Sequence, residues 1–178
     1  MDTVYENLRT TKIYQSPVFE VSETEVRLPN GRETTRFLVS HPGAAVILPV
    51  DAEGQILMIR QYRHAVGAHI LEMPAGTLER NEDPLACAKR EIVEEIGFRA
   101  ERWTSLGSIY PAPGFCNELQ HLYLAQELTA DSAEADEDEI IEVCPMSVSA
   151  VEEGIASGNI FDGKTIACFC RARIMGLV

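Results

Sequence analysis

The chain of 178 residues is long enough for one domain with a sizeable core, and its 46% hydrophobic and 24% charged residues are ordinary for a globular protein. Its 28 acidic and 15 basic residues give a net charge of −13, which argues against nucleic acids and anionic membranes as partners. No apolar run approaches the length of a membrane span, and the N-terminus lacks the apolar core of a secretory signal. The five cysteines are scattered, which argues against a disulfide framework. We therefore expect a cytoplasmic protein.

The first predicted elements are strands. Apolar and polar residues are interspersed over residues 17–29, the Asn30-Gly31 pair favours a hairpin turn, and TTRFLVS follows as the returning strand. The continuous apolar run AAVILPV, residues 44–50, is typical of a buried strand, and QILMIRQY predicts the next strand.

A helix is predicted over residues 83–96. Asp83 followed by Pro84 is a favoured helix start, and Gly97 is a favoured stop. At about 100° per residue, one stripe of this helix is apolar and is expected to be buried. The stripe consists of Leu85, Ala88, Ile92 and Ile96.

Strands and helices also alternate irregularly in the remainder of the chain. Strands are expected at 103–110, 119–126 and 139–145, followed by a short helix capped by Ser147 and a last helix over 164–176. This order favours a mixed-sheet α/β sandwich over a doubly wound parallel sheet.

The most unusual feature of the predicted helix is an acidic patch beside its buried stripe. Glu91, Glu94 and Glu95 repel one another at helical spacing, and the last two also lie at the negative end of the helix dipole. A solvent-exposed acidic helix face is the common explanation for such a triplet. The alternative is a site for a hard divalent cation such as Mg²⁺, which prefers oxygen ligands and would relieve the repulsion.

The wider stretch GTLERNEDPLACAKREIVEEIGF, residues 76–98, resembles the Nudix box at every defined position. The Nudix family hydrolyses a nucleoside diphosphate linked to another group and folds as an α/β/α sandwich around a mixed sheet. The resemblance implies that Glu91 and Glu95 are the principal metal ligands and that Glu94 helps to hold a cation. It further implies that Arg90 orients the glutamates and that Ala75 lends a backbone carbonyl to the metal.

Four stretches and one proline resemble the ADP-ribose pyrophosphatase branch of the family. The stretches are GAAVILPV, IRQYRHAVG, LEMPAGTLE and YPAPGF, and the proline is Pro113, which lies fifteen residues beyond the box. This branch implies Mg²⁺-dependent hydrolysis of ADP-ribose to AMP and ribose 5-phosphate, with Mn²⁺ as a substitute. Two alternatives stay open: another nucleoside diphosphate sugar such as GDP-mannose, and a non-catalytic ADP-ribose-binding module. The branch also implies a homodimer in which the two chains exchange their N-terminal strands, residues 1–40. Residues 41–178 would then form the Nudix domain.

The branch also implies substrate contacts. Arg63 is expected to bind the substrate diphosphate, with Arg36 as a weaker candidate. Glu72 and Glu118 would bind ribose hydroxyls or complete the metal shell, although an exposed surface charge is nearly as good an interpretation of each. Phe19 is a candidate for stacking on adenine, with ordinary packing as its alternative.

A second acidic segment, AEADEDEIIE, precedes the last predicted strand. Such runs usually form solvated loops. The ADP-ribose pyrophosphatase branch carries a catalytic glutamate in a loop at this place in the chain. By this resemblance Glu139 or Glu137 reaches the metal cluster or deprotonates the attacking water, and the sequence does not separate the two residues.

Overall fold

The structure is a computed structural model that describes residues 4–131 and 140–178. The elements in these residues are β1 (Glu6–Gln15), β2 (Glu20–Arg27), β3 (Glu33–Ser40), β4 (Ala44–Pro49), β5 (Ile56–Arg63), β6 (Ala68–Glu72), β7 (Ala75–Thr77), α1 (Pro84–Ile96), β8 (Phe98–Ile109), β9 (Gln120–Ala130), β10 (Ile141–Met146), α2 (Val148–Ser157) and α3 (Gly163–Ile174).

The chain divides into two compact units, of which unit 1 comprises Met1–Gly43 and Tyr110–Leu119. Its sheet has the order β1-β2-β3, and both pairs of neighbouring strands are antiparallel. The predicted turn at Asn30-Gly31 is confirmed. Gly31 has a φ of 84°, and its N–H donates to the carbonyl of Leu28 at 2.8 Å, so a glycine suits this position.

Unit 2 comprises Ala44–Ile109 and Gln120–Val178 and contains two sheets. The first has the order β7-β4-β9-β8, in which β4 and β9 are parallel and the other pairs antiparallel. The second is antiparallel and has the order β10-β5-β6. The predicted mixed sheet is therefore confirmed.

Strand β4 shows how unit 2 is layered, because all six of its residues are buried. Ala45 and Ile47 belong to the same apolar cluster as the buried residues of α1. Val46 and Leu48 point to the opposite face of the strand and belong to a second cluster, which includes residues of α2 and α3. Helices thus cover both faces, as the predicted α/β/α sandwich requires.

Helix α1 begins and ends where the sequence predicts. The side chain of Asp83 accepts hydrogen bonds from the backbone N–H groups of Leu85 and Ala86, and Gly97 ends the helix in the left-handed conformation. Leu85 of the predicted stripe is only half-buried, whereas Cys87 is fully buried because it packs against the carbonyls of β7.

The structure also adds elements to those predicted. Strands β6 and β7 were not expected, and β8 begins at Phe98, five residues earlier than predicted. None of the helices in the described part of the chain is long and apolar enough to cross a membrane.

Candidate active site

Strand β7 and helix α1 place the predicted metal ligands side by side. The carboxyl group of Glu91 lies directly against Gly76, in space that a side chain at that position would fill. The backbone N–H of Ala75 donates to Oε2 of Glu95 at 2.9 Å. Two residues of α1, one helical turn apart, thus contact two consecutive residues of β7.

Arg90 lies at the centre of the acidic patch. Its Nη1 donates to Glu91 Oε1 at 2.6 Å and to Glu94 Oε2 at 2.8 Å. Its Nε and Nη2 donate to the two carboxylate oxygens of Glu82, both at 3.2 Å. The guanidinium therefore binds three carboxylates and supplies positive charge among them, in agreement with the role that the resemblance implies for Arg90.

The electrostatics of this cluster follow from these contacts. Burial by itself lowers the pKa of Arg90, but hydrogen bonds and charge from Glu82, Glu91 and Glu94 raise it above its ordinary value. The hydrogen bond from Arg90 lowers the pKa of Glu82. Burial, together with the charges of Glu82 and Glu91, raises the pKa of Cys87 to about 12, so this thiol stays neutral at pH 7. Arg90 and Glu82 therefore remain ionised there.

The burial of the three box glutamates is graded. The exposed fraction of the side chain is 34% for Glu94 and 13% for Glu91, while the whole residue Glu95 is 8% exposed. The acidic patch therefore follows the edge of the buried face, where a merely solvated acidic surface would not lie. The exposed-face alternative is wrong for Glu95.

A divalent cation suits the donor chemistry of this cluster. The side chains offer hard carboxylate oxygens, the ligand type that Mg²⁺ prefers. Within residues 4–131 and 140–178, however, no three acidic, histidine or cysteine side chains converge as a metal site. We attribute this to Arg90, which lies between Glu91 and Glu94, and to the hydrogen bond that draws Glu95 towards Ala75.

A second charged cluster surrounds Glu72 at the end of β6. Glu72 is fully buried, so its interpretation as an exposed surface charge is wrong. Its Oε1 accepts a hydrogen bond from Arg63 Nε at 2.7 Å, and its Oε2 accepts one from Lys164 Nζ. The structure thus joins two predicted substrate residues and adds Lys164, which the sequence analysis missed because nothing near it in the chain marks it.

The other predicted substrate residues belong to unit 1. Arg36 is exposed on β3 and donates to Thr34 and to the carbonyl of Thr35. The ring of Phe19 lies 6.1 Å from that of Tyr14 between centroids. Glu118 Oε1 lies 3.9 Å from His41 Nδ1.

The two candidate general bases, Glu137 and Glu139, lie outside the described residues. Strand β10 starts at Ile141, two residues after Glu139 in the sequence, and pairs with β5. Their catalytic role stays a prediction.

A family model described as the NUDIX domain matches residues 39–167, which is more than half of the chain. The chain belongs to the Nudix hydrolase family. The loop and helix around Arg90 are accordingly the Nudix box of this protein.

Curated Nudix relatives carry more than one functional name. An ADP-ribose pyrophosphatase of Bacillus subtilis (strain 168) is 38% identical over 86% of this chain and 84% of its own length. A methanol dehydrogenase activator of Bacillus methanolicus is 36% identical over 89% and 87%. A GDP-mannose pyrophosphatase of Yersinia enterocolitica is 35% identical over 76% and 75%.

The fold is also found among solved structures. The crystal structure of an ADP compounds hydrolase superposes with a TM-score of 0.85 and covers 98% of this chain and 97% of that protein, at 20% sequence identity. This likeness shows that the two proteins share the Nudix fold.

Proposed function

We propose that this Nudix hydrolase cleaves the diphosphate bond of ADP-ribose, or of a related ADP-sugar, and releases AMP and ribose 5-phosphate. The observation that carries the proposal is the contact of Arg90 with Glu82, Glu91 and Glu94, which brings four charged residues of the box together. The 38% identity to an ADP-ribose pyrophosphatase over most of both chains supports this choice of substrate.

We propose Mg²⁺ as the cofactor, with Mn²⁺ as a possible substitute. Glu91, Glu94 and Glu95 would hold it, together with the backbone carbonyl of Ala75. A bound divalent ion neutralises charge on the diphosphate and lowers the pKa of a coordinated water. A protein with a net charge of −13 needs such local positive charge in order to bind a doubly charged diphosphate.

The chemistry assigned to the chain itself is binding and proton transfer. Arg63, whose side chain is 38% exposed, contacts the diphosphate. Glu139 or Glu137 takes a proton from water as the water oxygen attacks one phosphorus. The bond from that phosphorus to the bridging oxygen breaks, and the bridging oxygen leaves with the other phosphate. Arg90 keeps the box glutamates oriented throughout.

For unit 1, the roles expected from the sequence become proposals. Arg36 contacts a phosphate, Glu118 accepts a hydrogen bond from ribose or completes the metal shell, and Phe19 stacks on adenine.

We also propose a cytoplasmic homodimer in which residues 1–40 exchange strands and residues 41–178 form the Nudix domain. Large apolar side chains on β1 and β3 support an interface there, because Ile13, Tyr14 and Phe37 are more than half exposed.

Two alternatives have specific support. The 35% identity to a GDP-mannose pyrophosphatase favours a different sugar nucleotide, since the box handles only diphosphate and metal. The 36% identity to a methanol dehydrogenase activator favours a regulatory binding module. The complete set of box carboxylates argues against a protein that only binds.

A substrate panel tests the proposal most directly. Purified protein is incubated with ADP-ribose, ADP-glucose, GDP-mannose and NAD, each with Mg²⁺, Mn²⁺ or a chelator, and the products are separated by chromatography. We expect the highest kcat/KM for ADP-ribose, with AMP and ribose 5-phosphate as products and no turnover in chelator. A preference for GDP-mannose, or tight ADP-ribose binding without hydrolysis, would establish the corresponding alternative.

A further inference from the structure

The carboxylate of Glu72 is held by two cations, one nearby in the sequence and one 92 residues away. The exposed fraction of the Glu72 side chain is 1%, whereas that of Arg63 is 38% and that of Lys164 is 12%. A buried carboxylate is stable in its ionised form only when it is paired and hydrogen-bonded. Here both oxygens are bonded, Oε1 to Arg63 and Oε2 to Lys164.

Lys164 is itself fixed by the first turn of α3. Its Nζ lies 3.0 Å from Oδ2 of Asp162, which caps the helix. The same oxygen accepts hydrogen bonds from the backbone N–H and the hydroxyl of Thr165, at 3.0 and 2.6 Å. The hydroxyl oxygen of Thr165 accepts a hydrogen bond from the N–H of Met73 at 2.8 Å. One helix start therefore holds two consecutive residues, Glu72 and Met73.

This arrangement determines how Arg63 meets Glu72. An arginine usually binds a carboxylate through two parallel hydrogen bonds, one to each oxygen. Here Arg63 contacts Oε1 through Nε, and Oε2 accepts a hydrogen bond from Lys164. The Lys164 contact thus holds the carboxylate that Arg63 contacts, and the Arg63 side chain reaches solvent while the carboxylate does not.

We propose that Lys164 is a positioning residue for the reaction: it holds Glu72 so that Arg63 is presented to the substrate diphosphate. The proposal rests on the proposed function in one respect, namely that Arg63 binds the diphosphate. Without Lys164, the buried carboxylate of Glu72 loses one of its two cations, so its position, and with it that of the Arg63 guanidinium, changes.

The test compares the effect of Arg63→Gln in two backgrounds, the unmodified chain and Lys164→Met. In the unmodified chain we expect Arg63→Gln to lower kcat/KM by about 10- to 100-fold, mainly through KM. Lys164→Met alone should give a loss of similar size, because Arg63 is then misplaced. In the Lys164→Met background, adding Arg63→Gln should change kcat/KM by less than about threefold, since the two residues act as one unit.

Equal effects of Arg63→Gln in the two backgrounds would overturn the proposal, as would an unchanged kcat/KM in Lys164→Met. Arg173→Met is the matched control, because it removes one positive charge from an exposed ion pair on the same helix and should leave kcat/KM unchanged. If Lys164→Met does not fold, the comparison is made in Lys164→Gln, which removes the positive charge but keeps a hydrogen-bond donor at this position and leaves Glu72 unchanged. The same two outcomes decide the proposal in that background.

The dissociation constant of a non-hydrolysable methylene analogue of ADP-ribose, measured by calorimetry with Mg²⁺ for the same variants, separates this proposal from the proposed function. An unmodified chain that binds ADP-ribose without hydrolysing it refutes the proposed activity, and the binding data then test Lys164 alone. An unmodified chain that neither binds nor hydrolyses any nucleoside diphosphate sugar refutes both.

Discussion

The carboxyl group of Glu91 lies against Gly76 and fills the space that a side chain at position 76 would need. A Cβ atom built on Gly76 would lie 1.8 Å from both Cδ and Oε1 of Glu91, far inside van der Waals contact. The φ angle of Gly76 lies outside the left-handed region, so close approach and not backbone strain explains the glycine. The first glycine of the box is thus explained by the position of a proposed metal ligand.

The first prediction concerns Gly76→Ala. The new methyl group should displace the Glu91 carboxylate and lower kcat by about 100-fold, because moving a metal ligand by about 1 Å is enough for such a loss. Since Glu91 is a flexible side chain, the free energy of unfolding should change by less than about 1 kcal/mol. Steady-state kinetics and urea unfolding measure the two quantities.

Gly154→Ala is the matched control, because it should have the opposite effect. A Cβ at this position would lie 2.6 Å from Cδ1 of Ile160, a core side chain, so the variant should lose about 1–2 kcal/mol of stability and keep its kcat. An active Gly76→Ala enzyme would show that Glu91 does not need its present position.

The second prediction concerns the pH dependence of Arg90→Gln. Arg90 lowers the pKa of Glu82, whose ordinary value is 4.5, so the stability that this contact provides is complete above pH 4.5 and is lost as the pH falls below it. At pH 7 we expect the variant to be about 2 kcal/mol less stable than the unmodified chain. The difference should shrink as the pH falls below 4.5, because protonation of Glu82 removes its uncompensated charge in the variant.

Urea unfolding of both proteins at several pH values measures this difference. Arg99→Gln is the control, since Arg99 contacts carboxylates only near the surface and its side chain is 60% exposed. A difference between Arg90→Gln and the unmodified chain that stays constant from pH 7 to pH 3 would contradict the proposed ion pairs.

The sequence predicted the elements with strong local signals. Helix α1 has a capping aspartate, a proline in its first turn and a terminal glycine, and β4 is a continuous apolar run. Strands β6 and β7 have no such signals. Strand β7 is three residues long and includes Gly76, so its place in the sheet is determined by pairing with β4 and contact with α1, which the local sequence does not encode.

The third prediction concerns the two loop glutamates. One of the variants Glu139→Gln and Glu137→Gln should lower kcat by at least about 100-fold, because general-base catalysis contributes this much. The same variant should lose the fall in kcat at low pH that titration of the base produces. A pH–rate profile of both variants measures this, and each serves as the control for the other. Full activity in both would place the base elsewhere.

The Glu72 cluster shows why part of the site was beyond prediction. Charged residues are rarely fully buried, so the sequence favoured a substrate contact or a surface position for Glu72. Lys164 lies 92 residues away in the chain, and its partner becomes evident only when α3 packs beside β6. The box, by contrast, is local in sequence, so the contacts of Arg90 with its glutamates could be anticipated.

The fourth prediction concerns Glu95→Gln. The amide can still accept a hydrogen bond from Ala75, so the fold should be retained, while loss of the carboxylate charge should reduce kcat by at least about 100-fold at saturating Mg²⁺. Glu101→Gln is the control, because that side chain is 67% exposed and should be replaceable without effect. Unchanged turnover in Glu95→Gln would count against the assigned role of the box.

The central claim is that the acidic residues of α1 bind divalent cations against a diphosphate. A crystal structure with Mg²⁺ and a non-hydrolysable methylene analogue of ADP-ribose tests it most directly. We expect Glu91 and Glu95 to coordinate Mg²⁺, with the analogue's phosphate oxygens on the same ions and Arg63 within hydrogen-bond distance of them. Density that shows the analogue bound, but both glutamates still directed at Arg90 and Ala75 without a metal ion, would contradict the claim.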